Sequence, residues 1–393
     1  MTDDFDVLIS GAGMVGSALG LALQRQGLRT AIAERRTAQQ AEAADPLQRC
    51  SLVNAGATTF LAQQGLNVAS LGTAVRGMRV WDAEHAGSIQ LDAADVGETV
   101  LGYICENQRL EQDLRTAFCD AGGKLLYDCQ WQRSFIDAEG IELKDQKGRG
   151  YRGRLLAIAE GRQSGLRQQI FQSSIYREDY HQEAIVATVQ IERPHGGVAY
   201  QRFLPTGPLA LLPFADSAEG RAQASLVWST RNLAARQLFA MDDANFLGRL
   251  QDAFGPQLGR ITGIGKRGKF PLSALHVNRY VQDRVALLGD SAHGVHPLAG
   301  LGVNLGFRDV AALTRVIGDK IAKRTDFGRL EALVDFQRQR RPDNLLTVFA
   351  CGALNHLFSN RSGALARLRD LGLWGTSMTP PLKRFFIRQA MGL

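Results

Sequence analysis

Long hydrophobic runs are missing from this sequence of 393 residues, in which no stretch of about 18 or more apolar residues occurs. A helix that crosses a bilayer needs about 20 such residues, so we expect no membrane-spanning segment. The first six residues, Met-Thr-Asp-Asp-Phe-Asp, are acidic, whereas a secretory signal peptide begins with a basic region. We therefore expect a cytoplasmic protein.

Cysteine is scarce and scattered. No two cysteines form a C-x-x-C pair, and an odd number does not fit a complete set of disulfides; the five are Cys50, Cys105, Cys119, Cys129 and Cys351. Reduced thiols in the cytoplasm, with no metal site, are the simpler interpretation. Paired catalytic carboxylates, a Ser-His-Asp set and metal-ligand spacings are also missing. These absences argue against a disulfide framework and against a metalloenzyme.

Positive charge is only in modest excess, since 46 Lys and Arg against 39 Asp and Glu give a net charge of +7. The composition, 45% apolar and 22% charged, is that of an ordinary globular protein, and the length favours two domains. Most of the excess lies within residues 361–393, where one acid, Asp370, stands against Arg361, Arg367, Arg369, Lys383, Arg384 and Arg388. This cluster indicates a surface that meets an anionic partner, or a tail whose charge only aids solubility.

The start of the chain carries a nucleotide-binding pattern. An apolar strand leads into Gly11-Ala-Gly13-Met-Val-Gly16, and a helical segment and a second strand follow. In this order Gly11 permits a tight turn, Gly13 lets a pyrophosphate approach the backbone, and Gly16 lets the helix pack on the strand. The helix N-terminus attracts the diphosphate. Glu34, beside Arg35 at the end of the second strand, is placed to bind ribose hydroxyls.

A second copy of the same string, Gly263-Ile-Gly265-Lys-Arg-Gly268, is followed by Lys269-Phe-Pro271 and not by a helix. Without a helix N-terminus to face the phosphates, this copy does not indicate a nucleotide site. The N-terminal motif by itself does not separate NAD from FAD.

Another glycine-rich segment follows an apolar strand over residues 284–288. It reads Gly289-Asp-Ser-Ala-His-Gly-Val-His-Pro-Leu-Ala-Gly-Leu-Gly-Val-Asn304, and a helix is predicted from about Val303 through Ile321. At the strand end, Asp290 can accept hydrogen bonds from a polyol. The N–H groups near the helix start can face an anionic ring edge. The alternative is a glycine-rich turn followed by an ordinary helix cap.

This segment, with Arg308-Asp309 after it, resembles the second FAD motif of the group A flavoprotein monooxygenases, the aromatic-ring hydroxylases of the p-hydroxybenzoate hydroxylase type. The resemblance implies that the N-terminal motif binds the ADP half of FAD and that Asp290 binds the ribityl chain. It implies that the isoalloxazine faces the loop containing Pro297, Gly300, Gly302, Val303 and Asn304. It also implies NADPH or NADH as co-substrate and O2 as oxidant, with a flavin C4a-hydroperoxide that transfers one oxygen to an aromatic ring.

Three further segments resemble the same family. Glu160-Gly161 matches its Asp-Gly motif, which lies near both FAD and NAD(P)H. Arg49 resembles the arginine near the flavin pyrophosphate. Asn107 stands where relatives place a flavin-contacting side chain. The resemblance therefore adds these four residues to the predicted cofactor-binding set.

The match departs from the family at three positions. Glu160 is one methylene longer than the family's Asp, which alters its geometry toward NAD(P)H. Leu301 stands where close relatives mostly have Gln, and Ser291 replaces Ala.

Because the flavin supplies the hard chemistry, we predict no dedicated catalytic acid or base. His293 is a weak candidate for a proton donor, and packing or loop hydrogen bonding is its alternative role.

The middle and the end of the chain resemble one branch of that family, the ubiquinone-biosynthesis hydroxylases, which oxidise polyprenylated phenols. The matching strings include Ala199-Tyr-Gln-Arg-Phe203, Gly207-Pro-Leu-Ala-Leu-Leu-Pro213 and Pro380-Pro-Leu-Lys-Arg384. The implied function is hydroxylation of a polyprenylated phenol. Two alternatives stay open: a hydroxylase or reductase of the same fold acting on another phenol or isoprenoid, and a non-catalytic flavin-binding scaffold of a quinone-biosynthesis complex. The ring carbon is also open.

We predict an α/β fold of two domains: a Rossmann-like FAD-binding domain and a mixed antiparallel substrate sheet, followed by C-terminal helices. The FAD-binding domain comprises residues 1–75, 95–175 and 275–330. The substrate-binding domain comprises residues 76–94 and 176–274. Residues 331–393 form the helical region, in which the candidate packing residues are Leu333, Phe336, Leu345, Leu346, Phe349, Leu354 and Leu357.

A polyprenyl phenol dissolves in the bilayer, so we expect the protein to be peripheral to the inner membrane, or to contact a ubiquinone-biosynthesis complex. The predicted contact residues mix basic and aromatic side chains: Lys383, Arg384, Phe385, Phe386 and Arg388. The alternative is that these aromatic side chains pack on the protein's own core or on a partner subunit. A homo-oligomer stays open, and the sequence carries no nucleic-acid-binding motif.

Overall fold

A computed structural model describes residues 2–45, 47–82, 87–171, 174–296, 302–358 and 379–392. Three residues of the predicted flavin loop, Pro297, Gly300 and Leu301, lie outside the described residues. So do the basic residues Arg361, Arg367 and Arg369.

The described strands, in chain order, are β1 (Thr2–Ser10), β2 (Thr30–Ala33), β3 (Cys50–Asn54), β4 (Gly72–Val75), β5 (Gly77–Asp82), β6 (Ser88–Asp92), β7 (Gly102–Glu106), β8 (Lys124–Leu126), β9 (Trp131–Ile136), β10 (Ile141–Asp145), β11 (Gly150–Ile158), β12 (Ile175–Ile191), β13 (Val198–Leu204), β14 (Gly207–Phe214), β15 (Gln223–Arg231), β16 (Ile261–Ile264), β17 (Gly268–Val277), β18 (Val281–Gln282), β19 (Val285–Leu287) and β20 (His293–Gly294). The described helices are α1 (Met14–Arg25), α2 (Ala38–Glu42), α3 (Ala55–Gln63), α4 (Asn107–Asp120), α5 (Gly165–Ile170), α6 (Asn232–Ala240), α7 (Asp243–Phe254), α8 (Gly302–Ala322), α9 (Leu330–Phe358) and α10 (Pro380–Met391).

The first sheet is built around parallel strands in the order β19-β11-β1-β2-β8. Its central strands are buried on both faces, as an apolar parallel sheet requires, and Val7, Leu8 and Ile9 of β1 have no exposed surface. Helices α1, α4 and α8 cover the sheet. The carboxyl ends of β1, β2 and β11 therefore meet at one edge, where Gly11, Glu34 and Glu160 follow them in the chain.

The second sheet has the order β20-β17-β12-β15-β14-β13-β5-β6, with β16 paired to β12. It is mainly antiparallel, but β5 pairs with β13 in parallel, so β5 and β6 join the sheet formed by the middle of the chain. Along β12, Ile185, Ala187 and Val189 pack beneath α6 and α7, because alternate residues of a strand face opposite sides. The opposite face, which includes Ala184, packs on a separate apolar cluster.

The C-terminal region is helical where it is described, but the expected packing is wrong for three residues of α9. Leu333 and Phe336 are fully buried, whereas Leu346, Phe349 and Leu354 are 70%, 51% and 45% exposed. Phe349 follows Leu346 by three residues and Leu354 follows Leu346 by eight, so the three side chains lie on one outward side of the helix.

The last described helix, α10, packs on the protein through one face. Ile387 and Met391 are fully buried in a cluster that includes Leu212 and Phe214 of β14. Asn54 Nδ2 donates a 3.0 Å hydrogen bond to the Ala390 carbonyl. No described helix is both long and apolar enough to cross a membrane.

Candidate active site

The loop between β1 and α1 is shaped by its glycines. Gly11 adopts a φ of +104°, and a Cβ there would lie 2.5 Å from the Ala159 carbonyl oxygen. A Cβ on Gly16 would lie 1.9 Å from the Gly11 oxygen. At Gly13 the nearest atom to a Cβ, Glu111 Oε1, is 3.9 Å away, so the protein leaves free space at this position. That space is where a pyrophosphate needs to approach the backbone.

The N-terminus of α1 is suited to bind an anion. Its cap residue is Gly13, which offers no side-chain hydrogen bond, and the first turn contains no acid. The N–H groups of this turn are therefore left for a ligand, and the helix dipole favours a negative charge there.

Arg115 supports this loop from α4 and was not identified from the sequence. Its side chain is buried and donates to the carbonyls of Ala12 (3.3 Å) and Ala41 (3.1 Å). The sequence does carry a signal for this role: Arg115 lies on the side of α4 that also contains Leu114 and Phe118, and a charged side chain on a buried helix face usually has a specific partner.

Glu34 lies at the predicted position but is already hydrogen bonded. Its carboxylate accepts from Arg36 Nε at 3.1 Å and from the Ala12 amide at 3.3 Å. Burial alone would raise the pKa of Glu34, but the hydrogen bonds and the charge of Arg36 outweigh burial and lower the pKa. The carboxylate is therefore charged at neutral pH and sits beside the loop backbone.

A cavity of about 320 Å³ brings the first motif and the Glu160 segment together. Its lining includes Gly11, Gly13, Glu34, Arg35, Glu160 and Gly161. Arg49 does not line this cavity; its side chain is 55% exposed and pairs with Asp45 at 2.8 Å. Asn107 begins α4, and its buried Oδ1 has no hydrogen bond partner within the described part of the chain.

Glu160 uses its extra methylene for contacts inside the protein. One oxygen accepts from Ser10 Oγ at 2.5 Å, and the other accepts from Ser164 Oγ at 2.7 Å and from the Leu166 amide at 3.2 Å. The carboxylate thus joins the end of β1 to the first turn of α5. Both oxygens are occupied, so the side chain is held away from a role as a free ligand of NAD(P)H.

Asp290 lies in the turn after β19 and pairs with Arg162, which the sequence did not single out. Arg162 Nε donates to Asp290 Oδ2 at 2.9 Å, while its other nitrogens donate to the carbonyls of Ser273 (2.6 Å) and Val295 (2.7 Å). Because Ser273 belongs to β17, this guanidinium connects the two sheets. The Asp290 side chain is 38% exposed, and its Oδ1 has no partner among the residues described.

At the start of α8, the side chain of Asn304 is bound to the protein. Its Nδ2 donates to the Leu52 carbonyl at 2.7 Å, and its Oδ1 accepts from the Asn54 amide at 3.0 Å. The side chain therefore fastens α8 to β3. Because Gly302 has no side chain and that of Asn304 is bound, any contact of these two residues with a flavin falls to their backbone, in the first turn of the helix.

His293 is part of a buried network. Its Nε2 lies 2.5 Å from Asp309 Oδ2, and Asp309 Oδ1 accepts from Arg340 Nε (2.8 Å) and Asn344 Nδ2 (3.1 Å). The Gly289 amide donates to the same carboxylate at 3.0 Å. This geometry favours a structural role for His293, since its ring holds the turn that carries Asp290.

These features together fit an FAD. Free N–H groups and the open position at Gly13 suit a pyrophosphate, and the orphaned oxygen of Asn107 and the accessible Asp290 suit polar groups of the cofactor. A family model described as an FAD binding domain matches residues 4–342. The chain belongs to the FAD-dependent aromatic monooxygenase family.

Similar proteins cover this monooxygenase nearly end to end. The ubiquinone hydroxylase UbiL of Rhodospirillum rubrum is 34% identical over 98% of the chain and 89% of its own length. The 3-demethoxyubiquinol 3-hydroxylase of Escherichia coli is 33% identical over 99% and 98%. The human mitochondrial ubiquinone biosynthesis monooxygenase COQ6 is 30% identical over 96% and 91%.

Solved structures support the fold of the monooxygenase. PqsL of Pseudomonas aeruginosa, a probable FAD-dependent monooxygenase, superposes with a TM-score of 0.80 at 23% identity, covering 95% of this chain and all of its own. The p-nitrophenol 4-monooxygenase PnpA of Pseudomonas putida superposes with a TM-score of 0.79 at 14% identity, covering 99% of each chain. The predicted α/β fold with its FAD-binding domain is confirmed.

Proposed function

We propose that this monooxygenase hydroxylates the aromatic ring of a polyprenylated phenol in ubiquinone biosynthesis, using NADPH or NADH and O2. The observation that carries the proposal is the similarity to named ubiquinone hydroxylases at 30–34% identity over at least 96% of the chain. A match of this extent includes both the cofactor-binding segments and the substrate sheet.

The residues of the chain supply binding and positioning. The α1 N-terminus and Gly13 would hold the pyrophosphate, and Asp290, paired with Arg162, would hold the polyol chain. FAD, when bound, would supply the redox chemistry between NAD(P)H and O2. Beside the second motif, Val295 and Leu305 pack with Phe203 in an apolar cluster on the sheet. These three side chains are buried, so the cluster joins the segment at Val295 and helix α8 to the substrate sheet.

We also propose that α10 docks on the anionic surface of a membrane, where the polyprenyl phenol dissolves. Leu382, Phe385 and Phe386 are 40%, 54% and 45% exposed and lie at helical spacings of three and four. Arg384 and Arg388 are exposed on the same helix. Apolar side chains beside basic ones suit an anionic lipid interface.

The test is turnover by the purified FAD-loaded protein. We expect a polyprenylated phenol to stimulate NADPH or NADH oxidation and to gain one hydroxyl group, detected by mass spectrometry. A deletion strain should accumulate a quinone precursor that lacks this hydroxyl, and the structure of the precursor names the ring carbon. Faster turnover of a small soluble phenol would favour the other-substrate alternative, and NAD(P)H oxidation without product from any phenol would contradict hydroxylation.

A further inference from the structure

One side of α4 faces the loop that carries the first glycine motif. Asn107, Glu111 and Arg115 recur at intervals of four residues, so their side chains lie on the same side of the helix. Arg115 contacts the loop by donating to the Ala12 carbonyl at 3.3 Å. Glu111 lies one turn before Arg115 and therefore faces the same loop, with 21% of its side chain exposed.

The two carboxylate oxygens of Glu111 have different surroundings. Oε2 faces two guanidinium groups, with Arg115 Nη1 at 3.4 Å and Arg36 Nη2 at 3.6 Å. Oε1 is the nearest atom to the position that a Cβ on Gly13 would take, at 3.9 Å. No described residue donates a hydrogen bond to Oε1. This oxygen therefore borders the free space in which a pyrophosphate approaches the loop.

Arg36 is shared by two acids, and Glu34 holds it more closely. Nε and Nη2 of Arg36 donate to Glu34 at 3.1 and 3.2 Å. Although burial opposes it, the hydrogen bonds and the charge of Arg36 lower the pKa of Glu34. Burial raises the pKa of Glu111, and the charges of Arg36 and Arg115 offset only part of this effect. Of the two acids, Glu111 is the one that gains a proton more readily as the pH falls.

The charge of the cofactor favours the protonated form of Glu111. The pyrophosphate of FAD is a dianion at neutral pH, and a nearby negative charge disfavours ionisation of a carboxyl group. Apart from Glu34, Arg36 and Arg115, no charged group opposes or replaces this effect from the first turn of α1, because residues 14–17 are uncharged. An ionised Oε1 only accepts hydrogen bonds, whereas a protonated carboxyl group donates one.

We propose that Glu111 binds FAD in its protonated form, with the carboxyl group donating a hydrogen bond from Oε1 to a pyrophosphate oxygen. Glu111 is then a cofactor-binding residue, and its ionised form takes up one proton from solvent when FAD binds. Arg36 and Arg115 remain beside Oε2 and so fix the direction in which Oε1 points. The inference concerns the cofactor and does not depend on which phenol is hydroxylated.

The test measures FAD binding to the cofactor-free protein by isothermal titration calorimetry, in buffers of different ionisation enthalpy that report the protons taken up. The bound cofactor raises the pKa of Glu111, so FAD affinity is greatest below that pKa and falls as the pH rises through it. For the wild type we expect proton uptake at pH 7 and at least about threefold weaker binding at pH 8 than at pH 6.

Glu111→Gln supplies an amide that is neutral at every pH and still donates a hydrogen bond. We expect no proton uptake from this variant, and affinities at pH 6 and pH 8 that agree within about twofold. The ratio is taken within each variant, so a uniform loss of affinity caused by the altered surroundings of Arg115 does not affect it. Asp113→Asn is the matched control. It removes the same charge two residues further along α4, on a different side of the helix, and should retain the proton uptake and the pH dependence.

Equal binding of FAD by the wild type at pH 6 and pH 8, without proton uptake, would overturn the inference. Undiminished proton uptake by Glu111→Gln would overturn it too, because another group would then carry the proton. The same holds if Asp113→Asn abolishes the uptake as fully as Glu111→Gln does, since the effect would then come from the charge of α4 in general. Each of these results would leave the proposed hydroxylation intact, because product formation from a phenol is measured separately.

Discussion

Asp309 and His293 form a fully buried pair in which Asp309 Oδ2 lies 2.5 Å from His293 Nε2. Asp309 stands on α8, and its other oxygen is bound by Arg340 of α9. The Gly289 amide, one residue before Asp290, also donates to this carboxylate. A single buried charge therefore ties two C-terminal helices to the turn that presents the predicted flavin ligand.

Asp309→Asn should reduce the free energy of unfolding by about 3 kcal/mol at pH 7, because it leaves Arg340 buried without its full counter-charge. Although burial by itself would raise it, the pKa of Asp309 is lowered to about 2 by His293 and Arg340, against an ordinary value of 3.8. A lowered pKa stabilises the folded state above the unfolded value, and this contribution is lost as the pH falls from about 4 toward 2.

Chemical denaturation of both proteins at pH 7 and at pH 3 measures this effect. The difference between wild type and Asp309→Asn should be largest at pH 7 and should shrink in acid. A difference that stays constant down to pH 3 would show that the charge of Asp309 contributes nothing.

The Asp309 network also illustrates what the sequence does not reveal. The glycine motif is readable because its requirements are local: a strand, a turn at Gly11 and a helix follow one another directly in the chain. Asp309 meets Arg340 across 31 residues, and Arg162 meets Asp290 across 128. Which residues pair over such separations depends on how the helices and sheets pack, and no local sequence pattern determines it.

The exposed apolar residues of α9 show the same limit of prediction from local sequence. The spacing of Leu346, Phe349 and Leu354 correctly predicts a helix. It does not tell which side of the helix meets the core, and these three residues are exposed while Val348 and Cys351 are buried. Periodicity defines the faces of a helix, and tertiary packing decides which face is covered.

Alanine at Gly13 and at Gly16 should separate cofactor binding from folding. A Cβ at Gly16 collides with the Gly11 carbonyl at 1.9 Å, so Gly16→Ala should destabilise the cofactor-free protein by about 3 kcal/mol. Gly13→Ala meets no protein atom closer than 3.9 Å and should leave the cofactor-free stability unchanged. It should nevertheless weaken FAD binding at least about tenfold, because the methyl group occupies the approach of the pyrophosphate.

Thermal unfolding of the cofactor-free proteins and FAD titration by flavin fluorescence give the two readouts. Gly248→Ala is a control, since a Cβ there meets nothing within 4 Å and Gly248 is exposed within α7, outside the cavity. Unchanged FAD affinity in Gly13→Ala would contradict the placement of the pyrophosphate at this loop.

Glu160→Asp tests whether the longer side chain serves the fold or the co-substrate. Aspartate cannot span from Ser10 to Ser164, so the variant should lose at least one hydrogen bond and about 1 kcal/mol of stability. The KM for NADPH or NADH should change by no more than about twofold, since neither oxygen of Glu160 is free. Ser164→Ala removes the same hydrogen bond from the other side and should lower the stability further, because Ser164 Oγ also accepts from the Arg167 amide at 3.1 Å at the start of α5. A tenfold change in KM would instead assign the carboxylate a role in binding the nicotinamide nucleotide.

The basic residues of α10 should divide into two classes in a vesicle-binding assay. Lys383 pairs with Asp95 at 2.7 Å and its side chain is 21% exposed, and this contact lowers the pKa of Asp95. Lys383→Glu should therefore loosen α10 from the protein and lower the melting temperature. Arg384→Glu with Arg388→Glu should reduce binding to anionic vesicles without changing the melting temperature, because both side chains are exposed.

The aromatic pair of α10 gives the sharper comparison. Phe385 and Phe386 contact each other at 5.7 Å between ring centroids and are about half exposed, whereas Ile387 is fully buried. If α10 docks on lipid, Phe385→Ser with Phe386→Ser should lower the affinity for anionic vesicles at least about tenfold while FAD content is retained. The loss of stability should be smaller than for Ile387→Ser, because about half of each ring is exposed. Ile387→Ser should lower stability, because it removes buried apolar surface. Equal vesicle binding by the double serine variant and the wild type, measured by co-sedimentation, would mean that α10 packs on a protein partner or serves the fold alone.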